Sequence, residues 1–265
     1  GIGYATRLYA RQPSSGPVTG YYITPDAPDG LRGGGAFPIE GDRWIVTLTG
    51  YFGDHAPSDD AGFLEYAATL PAPDIHDLIR SAAPLTEVMV HKYPSSLRRH
   101  YEQVKHFPAR LLVLGDAMCS FNPIFGQGMT VASQEAAALD ALLQERRSLD
   151  GLWKPFFRAA AKIVTVAWDL TAGEDFRYPA AEGKRPAGLA LLNAYVGKMH
   201  RATHHDMNVY RAFLRVAHLQ APPTTLMHPK IMWRVFRGAG KSAPAPTIIA
   251  SGTPSAAKSP VHEAA

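Results

Sequence analysis

The sequence has 265 residues and a mass of 28.7 kDa, enough to bury a sizeable core in one large domain or two interleaved ones. Hydrophobic residues make up 46% and charged residues 19%, which excludes charge-driven disorder, and the apolar runs are too short for a membrane-spanning helix of about eighteen residues. The net charge of +4 is dispersed along the chain, which predicts no nucleic-acid partner.

The first part of the chain has the pattern of β-strands. Apolar and polar residues alternate, and turns rich in Pro, Asp and Gly separate the β-rich stretches. This pattern predicts an antiparallel meander with strands at residues 2–8, 21–23 and 43–49. Further on, we expect short helices at 59–67 and 74–81 and another strand at 86–93.

The second part of the chain is predicted to be mainly helical. It begins with the continuous apolar run 110–114, which ends in Gly-Asp and favours a strand buried on both faces. From Gly128 onward apolar residues recur at helical spacing, and helical patterns continue through 156–170 and 189–219. Beyond Gly238, small residues, Pro, Thr and Lys dominate without periodicity, which predicts a disordered tail.

Residues 114–130 combine a strand end, an acidic residue, a loop with one proline and two glycines, and a helix start. An aspartate at the carboxyl end of a buried strand points into the crevice where open α/β sheets bind ligands, so Asp116 is a candidate acceptor for sugar-like hydroxyls. Gly126 and Gly128 permit close backbone approach. The first N–H groups of the following helix lack intrahelical partners and can stabilise an oxyanion or a reduced flavin.

This stretch, Gly-Asp-Ala followed by Pro-Ile-Phe-Gly-Gln-Gly-Met, resembles the second FAD motif of class A flavoprotein monooxygenases. Para-hydroxybenzoate hydroxylase and squalene epoxidase typify that family. The family has a histidine at the place where Met118-Cys119-Ser120 stands here, which brings the chain closer to the squalene-epoxidase-like branch. The cofactor-binding residues that the resemblance implies are Gly115, Asp116, Ala117, Pro123, Gly126, Gln127, Gly128 and Met129.

The resemblance also implies roles, a fold and a domain organisation. Asp116 would bind the ribityl chain of FAD, Pro123 would lie beside the isoalloxazine, and the backbone of residues 126–128 would face its pyrimidine edge. The implied fold is α+β with an α/β part: a partial FAD-binding domain of the glutathione-reductase-like Rossmann type, an antiparallel β substrate domain, and C-terminal helices. The expected units are a substrate-binding sheet (1–105), an FAD-binding strand, loop and helix (106–148), a helical region (149–238) and the tail (239–265).

The motif that holds the FAD pyrophosphate, a strand followed by Gly-x-Gly-x-x-Gly and a helix, has no match in the sequence. Gly1-Ile2-Gly3 fails because no strand precedes it and Thr6 stands where the third glycine belongs. Gly33-Gly34-Gly35 fails because we expect it between strands, with no helix following. Since the first residue is glycine rather than methionine, we hypothesise a truncated or split gene product, complemented by an N-terminal half.

Other residues permit two interpretations each. Aromatic and polar residues on the early strands could line a substrate cavity or pack the sheet: Tyr4, Arg7, Tyr22, Trp44, Thr47 and Tyr51. The group His200, His204, His205 and Asp206 could bind a metal, but without a His-Glu-x-x-His pattern a polar helix face is favoured. Arg98 and Arg99 could reach an FAD phosphate or lie on a solvated turn.

The lone cysteine, Cys119, excludes an internal disulfide and multi-thiolate metal sites. It could be a reactive thiol beside the flavin loop, but a small buried hydrophobic residue is favoured. No basic and apolar leader pattern is visible at the N-terminus, and a cytoplasmic location is expected.

For the intact family, the resemblance implies that NAD(P)H reduces FAD and that one atom of O2 passes to a small apolar or aromatic substrate, by hydroxylation or epoxidation. Such oxygen transfer needs no acid or base from the protein, so the sequence identifies no catalytic residue. Two alternatives stay open: a flavin-dependent reductase of the geranylgeranyl reductase type, and a non-catalytic fragment or interaction module.

Overall fold

The computed structural model describes residues 1–12, 20–146, 148–185 and 187–238. Its strands are β1 (Ile2–Ala10), β2 (Tyr21–Ile23), β3 (Arg32–Ile39), β4 (Arg43–Tyr51), β5 (Met89–Tyr93), β6 (Leu97–Arg98) and β7 (Cys119–Ser120). Its α-helices are α1 (Asp60–Ala68), α2 (Asp74–Ser81), α3 (Gly128–Glu145), α4 (Trp153–Asp175), α5 (Leu189–Thr203), α6 (Met207–Ala217) and α7 (Pro229–Gly238). The expected tail lies outside the described residues, and the other expected domain limits stay a prediction.

Four antiparallel strand pairings build one five-stranded sheet in the order β2-β3-β4-β1-β5. The predicted strands at 2–8, 21–23 and 43–49 are confirmed as β1, β2 and β4. The expectation that Gly33-Gly34-Gly35 lies between strands was wrong, because these glycines are inside β3 and pair with β4 and β2. All three pair directly with residues of β4, so residues of poor strand propensity are held in a strand by tertiary pairing.

The edge strand β5 is shorter than the strand expected at 86–93. It begins at Met89, and its register pairs Thr6 of β1 with Met89. Further along β1, the N–H of Leu8 donates to the side-chain hydroxyl of Thr86 at 3.1 Å. The Thr86 hydroxyl takes the place of a backbone carbonyl as acceptor, and the regular ladder between β1 and β5 ends here.

One face of the sheet is covered by α1 and α2, which were both predicted. Asp59 caps α1 by accepting a hydrogen bond from the N–H of Gly62 at 2.8 Å. The strict alternation along β1 and β4 sends every second side chain into this layer. The resulting core consists mainly of Ala5, Tyr9, Trp44, Val46, Leu48, Phe63, Tyr66, Ile75 and Ile79.

The apolar run 110–114 does not form the predicted buried strand. Arg110 has a left-handed backbone with φ of 61°, and residues 111–114 are in no strand, with no ladder partner among the described residues. Leu111 and Leu114 are 49% and 41% exposed, whereas Leu112 and Val113 pack partly against the core of α3 and α4. A strand needs a neighbour to pair with its backbone, and sequence pattern alone does not show whether one is present.

The helices of the second part form two further cores. Helix α3 packs on α4 around Val131, Phe156 and Phe157, and α5, α6 and α7 enclose a separate cluster that includes Met199 and Val209. The predicted helical stretch 189–219 is two helices, because the chain turns after α5 and Asp206 caps the start of α6.

We expect Phe63→Ala to lower the free energy of unfolding by about 3–5 kcal/mol, because Phe63 is fully buried (0% exposed) between α1 and the sheet. Urea denaturation of both proteins measures the difference. Leu143→Ala on α3 is the control; its side chain is among the exposed large hydrophobic ones, and its loss should cost about 1 kcal/mol or less. Equal losses in the two variants would contradict the assignment of this core.

Candidate functional site

The Gly-Asp motif lies against the N-terminus of α3. Residues Gly115–Ala117 form a short 3₁₀ turn, and a Cβ atom built on Gly128 would be 3.5 Å from the Oδ1 atom of Asp116. The carboxylate of Asp116 is exposed and accepts no hydrogen bond from any of the described residues. The structure therefore brings together two sequence-predicted residues, an available acceptor and a helix start.

Helix α3 begins without a side-chain cap. Gln127 occupies the cap position, and its side chain turns away, donating from Nε2 to the carbonyl of Ala217 at 3.0 Å. The N–H groups at the start of the first turn are thus left for a ligand or water. Met129, in that same turn, is 84% exposed. At this part of the motif, the backbone N–H groups of the turn are available to a ligand, whereas the Gln127 side chain is not.

Backbone geometry explains two of the motif's glycines. Gly115 and Gly126 both have φ of 63°, in the left-handed region that other residues adopt at a cost of about 1–2 kcal/mol. Gly126 ends the 3₁₀ helix Pro123–Phe125, and a Cβ there would meet no atom within 4 Å. Conformation, rather than crowding within the chain, accounts for glycine at Gly126.

The loop that carries Pro123 is fixed by Asn122, which is buried. Its Oδ1 accepts from the N–H of Ile124 at 3.1 Å, and its Nδ2 donates to the hydroxyl of Tyr51 and to Oδ1 of Asp175, both at 2.8 Å. Tyr51 belongs to β4, and Asp175 ends α4. Asn122 therefore joins the loop, the sheet and the helical region at one point.

The electrostatics of this junction follow from burial. Burial raises the pKa of Asp175 above its ordinary value, while the hydrogen bonds from Asn122 and Tyr51 lower it. Burial also raises the pKa of Tyr51, and the nearby charge of Asp175 adds to that effect. The ring of Tyr178 lies 4.7 Å from that of Tyr51 and helps to exclude water. Tyr51 is thus a neutral donor at the junction.

The open face of the sheet forms a cavity of about 250 Å³ beneath Pro123 and Ile124. Tyr22 anchors this roof by donating its hydroxyl proton to the carbonyl of Ile124. The absence of side chains at Gly34 and Gly35 leaves room at the floor. The remaining lining is aromatic, apolar or hydroxyl-bearing: Tyr4, Ile23, Pro25, Phe37, Thr47 and Thr49.

Only part of the expected cavity set lies in this cavity. Tyr4, Tyr22 and Thr47 line it. Arg7 and Trp44 follow the second interpretation, packing of the sheet, because their strand positions point into the opposite face. Arg7 is buried there, donating to Asp60 at 2.9 Å and to the carbonyl of Thr86 at 2.7 Å, and Trp44 belongs to the core.

Tyr51 lines a second cavity, of about 330 Å³, which also touches Tyr93, Asn122 and Asp175. The two cavities share no lining residue, and Asn122 borders the second while its neighbour Pro123 borders the first. The Asn122 junction therefore lies between them.

The two arginines near the motif have different surroundings. Arg98 is held within the protein by the hydroxyl of Thr165 at 2.9 Å and by Glu102 at 3.5 Å. Arg99 is exposed and donates to the carbonyl of Ala117 at 3.3 Å, beside the Asp116 turn. Of the two, only Arg99 has its guanidinium next to the motif and in solvent.

Cys119 and the histidine group make the packing and pairing contacts of structural residues. Burial raises the pKa of Cys119 to about 12, so it stays a thiol, as the favoured interpretation expected. The ring of His200 lies 5.3 Å from that of Phe213, and Asp206 pairs with Arg234 at 2.8 Å. Within the described ranges, no group of three or more potential ligands could hold a metal, and no helix is long and apolar enough to cross a membrane.

Sequence reasoning missed two buried polar residues, Asn122 and Glu135. Glu135 lies on α3 with 0% exposure, and its Oε2 accepts from the N–H of Gly115 at 2.6 Å. A signal for it was present, because Glu135 falls seven residues after Gly128 and thus on the inner face of the helix, among alanines. Asn122 stands directly before Pro123, a position that favours a side-chain cap.

No protein-family model matches this sequence. A curated relative, protein Rv3254 of Mycobacterium tuberculosis, is 29% identical over 205 residues, which are 74% of this chain and 43% of the relative. The chain thus spans less than half of the length of that relative.

Among solved structures, a flavoprotein/dehydrogenase from Cytophaga hutchinsonii superimposes with a TM-score of 0.58 at 12% identity, over 89% of this chain and 55% of that one. A flavin-dependent brominase, Bmp2, gives 0.51 at 12% identity, over 89% and 56%. The fold of this chain, an antiparallel sheet with helices, is therefore similar to that of these two flavoproteins.

The raised pKa of Asp175 predicts a pH dependence of stability. A carboxyl whose pKa is higher in the folded state stabilises that state most below its ordinary pKa of 3.8, and this contribution is lost as the pH rises through the folded value. We expect the free energy of unfolding of the wild type, relative to Asp175→Asn, to decrease as the pH rises from about 4 to neutrality.

Urea denaturation at several pH values measures this difference. Asp169→Asn, on the same helix α4, is the control and should follow the wild type. A wild type that gains stability over Asp175→Asn with rising pH would contradict the buried environment of Asp175.

Proposed function

We propose that this chain forms the isoalloxazine and ribityl part of the site of an FAD-dependent monooxygenase. The observation that carries the proposal is the exposed Asp116 carboxylate, without a partner among described residues, next to the uncapped start of α3. An ionised acceptor suits sugar-like hydroxyls, and free N–H groups at a helix start suit a carbonyl edge that becomes negative on reduction. The fold shared with flavin-dependent enzymes supports this assignment.

The substrate would occupy the cavity between the sheet and the Pro123 loop. Its walls are mostly apolar and aromatic, with hydroxyl groups from Tyr4, Thr47 and Thr49. Such a lining suits a small apolar or aromatic molecule and excludes bulk water. Bound FAD would supply the redox chemistry, with NAD(P)H as reductant and O2 as oxidant, while this chain's residues orient the ring and the substrate.

A nucleotide-binding segment would complete the site. Residues 111–114 have no ladder partner among the described residues, Leu114 is extended, and Leu111 and Leu114 are exposed. A strand of a complementing N-terminal half, of the Rossmann type, would pair with this segment and cover the two leucines. The pyrophosphate of FAD would then be held by that half, and Arg99 would lie nearby.

Asp116→Ala should weaken flavin binding at least about tenfold, because a hydrogen bond to a charged acceptor contributes about 1.5–3 kcal/mol. Fluorescence quenching of riboflavin by the purified chain measures the dissociation constant. Asp140→Ala, a loss of the same charge from an exposed position of α3, is the matched control and should bind like the wild type. Equal affinity of Asp116→Ala and wild type would remove Asp116 from the site.

Riboflavin and FAD should bind this chain with dissociation constants that agree within about threefold, because the site proposed for this chain would hold mainly the shared ring and ribityl chain. The same quenching titration compares them.

Adding a complementing nucleotide-binding half should tighten FAD binding at least about tenfold and leave riboflavin binding unchanged. Absence of saturable binding of either flavin would overturn the proposed function. NADPH oxidation by the completed protein without O2 consumption would favour the reductase alternative.

A further inference from the structure

We propose that Glu135 is a positioning residue: its buried carboxyl group fixes the backbone of Gly115 and thereby orients Asp116 toward a ligand at the start of α3. The inference rests on the proposed flavin site. It assigns a function to a side chain that does not itself reach that site.

The geometry is a direct link between helix α3 and the Gly-Asp turn. The N–H of Gly115 donates to Oε2 of Glu135 at 2.6 Å, which is short for an N–H···O hydrogen bond. The contact crosses two turns of α3, because Glu135 lies well inside the helix and the motif lies at its start. A Cβ on Gly115 would touch the Cβ of Ala132 at 3.7 Å, so the turn is packed directly on the helix.

Burial of Glu135 needs an explanation beyond packing. The side chain is fully buried, and its second oxygen, Oε1, has no hydrogen-bond partner in the described structure. A buried polar atom without a partner costs stability, so an apolar residue of similar size would fill the same space at lower cost. The one interaction that compensates for this cost is the bond to Gly115.

The turn has few other fixed points. Gly115 has φ of 63° and Leu114 before it is extended, so rotation about this glycine would swing the Asp116 side chain. Beyond the bond to Glu135, the turn is closed by Met118, whose N–H donates to the carbonyl of Gly115 at 2.8 Å. With both bonds in place, the Asp116 carboxylate stays beside Gly128 before any ligand arrives.

The charges around Glu135 favour its neutral form. Burial raises the pKa of Glu135, the hydrogen bond from Gly115 lowers it, and the charge of Asp116 raises it. Cys119 and Arg98 are the other titratable or charged groups nearby, since both Arg98 and Glu135 act on the Cys119 thiol. Titration of Glu135 should therefore be sensed by the amide of Gly115 at a pH above the ordinary 4.5.

Two measurements on the purified chain test the proposal. The first is the pH titration of the Gly115 amide by NMR, without flavin. All titrations are made in the Asp116→Asn background, because the neighbouring Asp116 carboxylate would also shift this amide. We expect a titration of the Gly115 amide in that background, and its loss when Glu135→Gln is added. Glu145→Gln, at the exposed end of the same helix, is the control and should leave the titration unchanged.

The second measurement is riboflavin binding. Glu135→Gln keeps an acceptor for Gly115 and should bind within about threefold of the wild type, whereas Glu135→Leu removes it and should bind at least about tenfold more weakly. Thermal unfolding of both variants checks the fold. A role in packing alone would be met by leucine as well as by glutamine, which has the shape of glutamate, so weaker binding in Glu135→Leu alone indicates positioning through the acceptor oxygen.

The outcomes distinguish this inference from the proposed function. Unchanged riboflavin affinity in Glu135→Leu, or a Gly115 titration that survives in Glu135→Gln, overturns the role of Glu135 while flavin binding by the wild type stands. No flavin binding by the wild type overturns the proposed function and the role of Glu135 with it, even if the Gly115 titration is observed. If Glu135→Leu does not fold, the titration in Glu135→Gln decides.

Discussion

The hydrogen bonds of Asn122 are the constraint on which the arrangement of the site depends. They join the Pro123 loop to Tyr51 on β4 and to Asp175 at the end of α4. Besides them, the Tyr22 hydroxyl and the apolar contacts of Ile124 hold the loop over the open face of the sheet. The position of the loop in turn determines both the roof of the cavity and the path by which the chain enters α3.

Two carboxyl groups near the site are buried at a cost to stability. Hydrogen bonds from Asn122 and Tyr51 compensate for the burial of Asp175, and the hydrogen bond from the N–H of Gly115 compensates for the burial of Glu135. In both cases burial raises the pKa of the carboxyl group. Asp175 and Glu135 thereby help to fix the chain around the cavity and at the start of α3. Strain and unfavourable burial of this kind are commonly concentrated near functional sites.

Some elements could be predicted because their signals are local. The alternation in β1, the Asp59 cap of α1 and the Gly-Asp motif before α3 all depend on residues close together in the chain. The segment 110–114 could not be predicted in the same way. Its composition suits a buried strand, but a strand forms only against a partner, and none of the described residues provides one.

By itself, the sequence determined β1, β2 and β4 of the sheet, most of the helical second part and the motif at the start of α3. Only the tertiary structure decided which face of the sheet opens toward Pro123, and hence that Tyr4 lines the cavity while Arg7 lies in the core. It alone showed that Asn122 meets Tyr51 across 71 residues and that Glu135 meets Gly115 across 20. The reason is physical: a periodic pattern defines two faces of an element, but the burial and partners of each face depend on distant parts of the chain.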